Sequence, residues 1–285
     1  MGTKNNKSEG SVFNRQIATH SIRILNAKAS KEMESFLDPQ HFAEEKANFD
    51  FPTEHHGDTE NFHVYYNPEL GSNGITLSDG VLSVCERDYN TIVSFFGGLS
   101  AGPFNIIISP GIQGAYHHSC SGTDIYCGVK TTPHLDIDFT RLVAVAEIVE
   151  VFSAVQNRGW DCGASNGEGL SRVLAAEIYP KALTGGLVTA PIWLDESDRP
   201  NYIDNNDPTD TNPISNGCSV LFLNYLHYQL GFSWSQIVQA GGSTLADTYR
   251  ELTGNSDGFQ RFKAFMDERY PVGNPSRLDK DNPFS

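Results

Sequence analysis

The chain has 285 residues, with 35 acidic and 20 basic side chains and a net charge of −15. That balance excludes a nucleic-acid binder, whose phosphate contacts need a basic surface, and an anionic-membrane binder for the same reason. Apolar residues at 39%, with 11% aromatics, suffice for a packed core and exclude a wholly disordered chain.

Residues 1–59 read as an N-terminal extension and linker. RQIATHSIRIL and KEMESFLDPQHFAEEK predict one or two helices there, and the first 31 residues hold six bases against one acid, Glu9, as a solvated basic segment does. FPTEHHGDTEN reads as the linker. From residue 60 the texture changes. FHVYYN alternates aromatic and polar residues and predicts a strand. LSDGVLSVCERDYNTIVSFFGG predicts one helix, capped by Ser78 and ended by Gly97. FNIIIS, GAYHHSC and TDIYCGV predict three more strands. Residues 138–157 and 165–178 predict two helices, the second capped by Ser165 or Asn166. The acid-rich loop WLDESDRPNYIDNNDPTDTNP follows, then three helices near 216–230, 233–252 and 256–270. The folded domain is expected over 60–272, with a β-rich half (60–137), a helical half (138–272) and a tail at 273–285. The fold class is α+β.

No apolar run approaches the ~20 residues that span a bilayer. MGTKNNKSEG has no apolar signal region, so the expectation is a soluble protein, cytoplasmic if the chain is complete and secreted if a signal was removed. Five cysteines with no CxxC pair read as buried free thiols. The alternative is a Cys120–Cys127 bridge, which needs an oxidising compartment.

Helix 138–157 is apolar nearly all round, so it is a buried helix. Yet Glu147 and Glu150 lie inside it, one turn apart on one face. Buried carboxylates need a proton, a cation or a basic partner, and Arg172 is a candidate for the last. Seventeen residues separate Glu150 from Glu168, which sits in SNGEGLSR at the start of the next helix.

Ala146-Glu147-Ile148-Val149-Glu150, followed by Glu168 in Asn166-Gly167-Glu168-Gly169-Leu170, resembles the gluzincin branch of zinc metallopeptidases. In that family a helix carries His-Glu-x-x-His and the next helix supplies a third ligand, a Glu. The resemblance implies a zincin-like fold, with a cleft between a β-rich upper part and a helical lower part. It places Gly114-Ala115-Tyr116 as a substrate-binding edge, Glu147 as the general base and Glu168 as the third ligand. This chain departs from the pattern at both imidazoles: Ala146 offers no donor and Glu150 is a carboxylate. Such a set suits a harder cation than zinc, through Glu150 and Glu168.

His117 and His118 follow one another on a strand, so at most one faces inward; with Glu150 and Glu168 it would complete three ligands. His134 precedes the acid helix. In GWDCGASNGEG, residues Asp161, Ser165 and Asn166 either face a ligand or form a tight turn and cap, while Cys162 lacks a basic activator. DNNDPTDTN has the oxygen density of a calcium loop without EF-hand spacing, and reads as a solvated loop. Tyr225, His227 and Tyr228 are candidate cleft residues by the resemblance. The expected function is a peptidase-like protein without zinc proteolysis, binding a small molecule, glycan or protein in an acidic cleft. The alternatives are a hydrolase, of glycosides for instance, using Glu147, Glu150 and Glu168 for acid/base chemistry, or an enzyme holding a divalent cation such as Ca²⁺ or Mn²⁺ on those carboxylates. No other cofactor is expected.

Overall fold

Five strands pair into one sheet in a computed structural model that describes residues 49–184 and 187–284. The two N-terminal helical stretches and the basic segment lie outside the described residues. The strands are β1 (Glu54–Asp58), β2 (Phe62–Tyr66), β3 (Phe104–Ile108), β4 (Ala115–His117) and β5 (Asp124–Cys127). Their order is β1-β2-β3-β5-β4. The three inner strands run parallel, and the short outer strands β1 and β4 pair antiparallel to them.

β2 buries Phe62, Val64 and Tyr66 and leaves His63 and Tyr65 half-covered, the alternation of a strand with one core face. β3 lies between two parallel neighbours, and its Ile106, Ile107 and Ile108 are all buried. β1 falls within the segment read as a linker. Its sequence, EHHGD, carries charges that an edge strand tolerates, and a bulge between His55 and Gly57 breaks its register, so neither composition nor alternation marks it.

The helices among the described residues are α1 (Ser72–Leu82), α2 (Cys85–Phe95), α3 (Ile137–Gln156), α4 (Ser165–Ile178), α5 (Ala190–Asp195), α6 (Pro213–Tyr228), α7 (Trp234–Gln239), α8 (Leu245–Thr253) and α9 (Gly258–Arg269). α1 and α2 replace the single helix expected from Ser78 onward, and Ser78 is buried inside α1 rather than capping it. The break follows from a distant residue. Arg141 of α3 donates from Nε and Nη2 to the Gly80 carbonyl, at 3.1 and 2.6 Å, and thereby satisfies a C-terminal orphan of α1. The helix expected over 233–252 likewise divides into α7 and α8. A side chain on Gly241 would strike the Trp160 indole, whose Nε1 donates to the Val238 carbonyl at 3.1 Å, and Thr244 caps the new helix. α5 forms at the start of the segment read as loop.

α3 begins at Asp136, whose carboxylate accepts from the Phe139 amide, and ends at Asn157 in the left-handed conformation. It is buried along most of its length, as its sequence requires. α4 packs against both α3 and α6. A Cβ on Gly167 would lie 2.1 Å from the Asp161 carbonyl oxygen, and one on Gly169 would lie 2.6 Å from Ser219 Cβ of α6. These two glycines of NGEGL therefore bring α4 close to its neighbours. The cap expected from Ser165 or Asn166 does not form; α4 starts at Ala164 without a side-chain cap. Ser165 Oγ instead accepts from the Asp207 amide, and Asn166 Nδ2 donates to the Gly159 carbonyl.

The loop 195–212 is pinned rather than merely solvated. Arg199 is fully buried within it, Asp195 accepts from the Ser276 amide, and Asn216 Nδ2 donates to the Asp210 carbonyl. Cys120 is bridged to Cys162, not to Cys127; their Cα atoms lie 5.7 Å apart, in the ordinary range. Cys85, Cys127 and Cys218 are buried free thiols. No helix among the described residues is long and apolar enough to cross a membrane.

Candidate ligand-binding cleft

β4, α3 and α4 converge on a cleft of about 590 Å³. β4 contributes Ala115, Tyr116 and His117; α3 contributes Leu142, Val143, Ala146, Glu147 and Glu150; α4 contributes Glu168, Ser171, Arg172 and Ala175. The Cys120–Cys162 bridge lies in its wall, as does Asp210 from the acid-rich loop. The lining thus combines apolar side chains with several carboxyls, the composition of a site that grips a ligand by a polar group.

The polar groups form a chain of contacts. His117, with its side chain only 4% exposed, meets Glu147 Oε2 through Nδ1 at 2.7 Å, while Glu150 Oε2 lies 4.0 Å away. The His117 Nε2 is buried and finds no hydrogen-bond partner among the described residues. Ser171 Oγ donates to Glu150 Oε1 at 3.1 Å. Arg172 Nε donates to Glu168 Oε1 at 2.5 Å, and its Nη1 donates to the Leu187 carbonyl at 2.8 Å. Arg172 therefore answers one acid, Glu168, and His117 answers a second, Glu147. Among the described residues Glu150 has no cationic side chain of its own and shares His117, at 4.0 Å, with Glu147.

The electrostatics follow from that inventory. Burial pushes the Glu147 carboxyl up from its ordinary value, and the hydrogen bond and charge of His117 pull it only partly back. Burial pushes Glu150 well above the usual carboxylate range, and the neighbouring Glu147 and Glu168 push it further. A hydrogen bond from the Glu168 carboxyl pushes Glu150 further in the same direction.

This arrangement makes the stability pH-dependent in a set direction. The Glu150 pKa is raised by folding, so the unfolded chain loses this proton first and stability falls as pH climbs from the unfolded to the folded value. Glu150→Gln removes that loss while its amide keeps the hydrogen bond from Ser171. Below about pH 4 the variant is expected to melt with the wild type. Near neutral pH it is expected to melt about 2–4 °C higher, equivalent to roughly 1 kcal/mol in a domain of this size. Thermal melts across pH 4–8 check this; parallel curves would show that Glu150 ionises as freely folded as unfolded.

The candidate residues from the sequence divide into two groups. His117, Glu147, Glu150 and Glu168 meet in the cleft, with Cys162 in its wall. His118, the neighbour pointing the other way, is exposed and bonds Asp50 at 2.7 Å. Asp161 is exposed and turns back to accept from the Gly163 amide. Asn166 is buried and holds backbone carbonyls. Tyr225 lies in the helical core against Phe262 and Phe265. His227 stacks on Trp234, and Tyr228 donates to Glu177 at a second, smaller pocket. Asp210 and the disulfide were not anticipated as cleft features. Asp210 sits among ordinary-looking loop acids, and only the tertiary pinning of that loop brings it inward.

Zinc in the family's manner does not fit these residues. Ala146 has no donor atom, Glu150 is a carboxyl, and Glu168 is engaged by Arg172. No family model matches this chain, and no curated protein does. Among solved structures it is similar to yeast LTA4 hydrolase in complex with Bestatin, with a TM-score of 0.45 and 16% identity over 81% of this chain. The chain spans only 41% of that protein's length, and the likeness is a distant one of α+β fold.

Proposed function

We propose that the chain is a zincin-like protein that does not carry out zinc proteolysis and instead binds a ligand in its carboxyl-lined cleft. The convergence of Glu147, Glu150, Glu168 and His117 in one cleft, without an imidazole pair, supports this reading. The ligand class follows from the lining. Leu142, Val143, Ala146, Ala175, Leu183 and Leu187 suit an apolar body. Glu147 and Asp210, two acids of the lining that feel each other's charge, suit an ammonium or a cluster of hydroxyl donors. A peptide-cleavage assay of the protein with its bridge intact tests the reading. The expected outcome is no cleavage that a chelator abolishes; chelator-sensitive turnover would overturn it.

A second reading draws on one observation, that Glu147 and Glu150 lie one helical turn apart in the cleft and burial raises Glu150 further than Glu147. Such a pair supplies an acid and a base to one bond, as glycoside hydrolysis requires. Hydrolysis of nitrophenyl glycosides with a bell-shaped pH profile, lost in Glu150→Gln, would favour this reading over simple binding.

A further inference from the structure

We propose that opening the Cys120–Cys162 bridge turns one wall of the cleft into a zinc site made by His117, Glu150 and Cys162, with a fourth position open to the cleft. The proposal does not rest on the ligand-binding reading, which concerns the bridged protein. One donor atom from each of the three residues lies within 4.8 Å of the others. They come from three separate elements: strand β4, helix α3 and the loop before α4. Imidazole, carboxylate and thiolate together form a donor set that zinc accepts.

The imidazole is the strongest argument. His117 is buried, and its Nδ1 is fixed by Glu147 at 2.7 Å. Its Nε2 is buried and has no partner among the described residues, an uncommon state for a buried ring nitrogen. Metal-binding histidines have this form, with one nitrogen oriented by a carboxylate and the other offered to the ion. Glu150 is positioned in the same way, since Ser171 Oγ holds Oε1 at 3.1 Å. What blocks the site is the sulfur. In the disulfide, Cys162 is bonded to Cys120 and offers no thiolate. Asp161 and Cys120 form a second cluster with Cys162, so further donors lie close by.

The chemistry balances with a dithiol as reductant. Its thiolate attacks one sulfur of the bridge, the S–S bond breaks through a mixed disulfide, and the reductant leaves as its own disulfide. Two electrons and two protons pass to Cys120 and Cys162. Zinc then takes the Cys162 thiolate and the Glu150 carboxylate, and the protons these groups give up go to solvent.

Reduction with a phosphine tests the proposal without adding a competing dithiol chelator. The phosphine takes oxygen from water and leaves two thiols. After its removal, zinc is titrated by calorimetry, and bound metal is counted after gel filtration. The bridge-open protein is expected to bind about one zinc per chain, and the bridged protein less than a tenth of that. Cys120→Ser frees Cys162 genetically and is expected to bind zinc with no reductant. Adding His117→Ala or Cys162→Ser to it should weaken binding at least about 100-fold. Cobalt in place of zinc should show a thiolate charge-transfer band that Cys162→Ser removes. Circular dichroism confirms folding in each case; if Cys120→Ser does not fold, the phosphine-treated wild type alone decides. The proposal is overturned if the folded, bridge-open protein takes up no zinc, if His117→Ala leaves uptake unchanged, or if both bridge-open forms unfold.

Discussion

Replacing Arg199 with alanine is expected to destabilise the fold by about 2–4 kcal/mol, through the loss of several charge-assisted hydrogen bonds from a buried guanidinium and the space it fills. In a domain of this size that lowers the melting temperature by about 10 °C. The Arg199 side chain is fully buried. Its Nε and Nη2 donate to the Leu194 carbonyl at 3.0 and 2.7 Å, its Nη2 reaches the Tyr270 carbonyl at 2.6 Å, and its Nη1 meets Asp267 at 2.6 Å. One guanidinium thus ties the end of α5, the end of α9 and the start of the acid-rich loop. Removing it leaves the buried Leu194 carbonyl and the part-buried Tyr270 carbonyl without its donors, and Asp267 with Lys263. Lysine should rescue little, because a single ammonium does not present the same fork of donors. Thermal or denaturant unfolding of Arg199→Ala and Arg199→Lys measures both effects. A loss under 1 kcal/mol in Arg199→Ala would show that the loop is anchored elsewhere.

That loop also shows where the sequence is legible. Its acids and prolines mark an irregular segment correctly, but a lone arginine among them looks like surface charge. Only the ends of α5 and α9 show that it is an anchor. Helices α3 and α4 lie where periodicity puts them, because long apolar repeats depend little on distant partners. The breaks between α1 and α2 and between α7 and α8 depend on Arg141 and Trp160, far away in the chain, so a window on the local pattern reads through them. β1 is hidden by the charges an edge strand tolerates.

The site divides along the same line. Two glutamates in an apolar helix and a third at the next helix start are conspicuous in one dimension, and all three meet in the cleft. Alternation on β4 separates His117 from His118, though not which of them turns inward. Tyr225 carries no such contrast, since an aromatic at helical spacing in an apolar helix belongs to the core. The Cys120–Cys162 pairing joins residues 42 apart, across β5 and all of α3, which spacing alone does not reveal. Ser165 and Asn166 look like caps, yet they hold tertiary partners instead, because buried polar groups go wherever an unmet donor or acceptor lies.

Binding of a small cation in the cleft tests the central claim most directly. Hexylammonium carries an apolar body and a charge, matching the apolar and carboxyl groups of the lining, and hexanoate has the same body with the opposite charge. Glu147 is the carboxyl best placed to meet the ammonium, since its partner is the His117 imidazole rather than a permanent cation, whereas Glu168 is answered by Arg172 and burial with two neighbouring carboxyls disfavours charge on Glu150. A charge-assisted hydrogen bond of this kind contributes about 1.5–3 kcal/mol, so Glu147→Gln should weaken hexylammonium binding roughly 10–100-fold while the protein stays folded. Calorimetric titration of both probes into the bridged wild type and Glu147→Gln is the measurement. The account predicts that wild type binds hexylammonium at least about tenfold more tightly than hexanoate and that the variant loses this preference. Equal binding of the two probes, or a preference that survives Glu147→Gln, would contradict it.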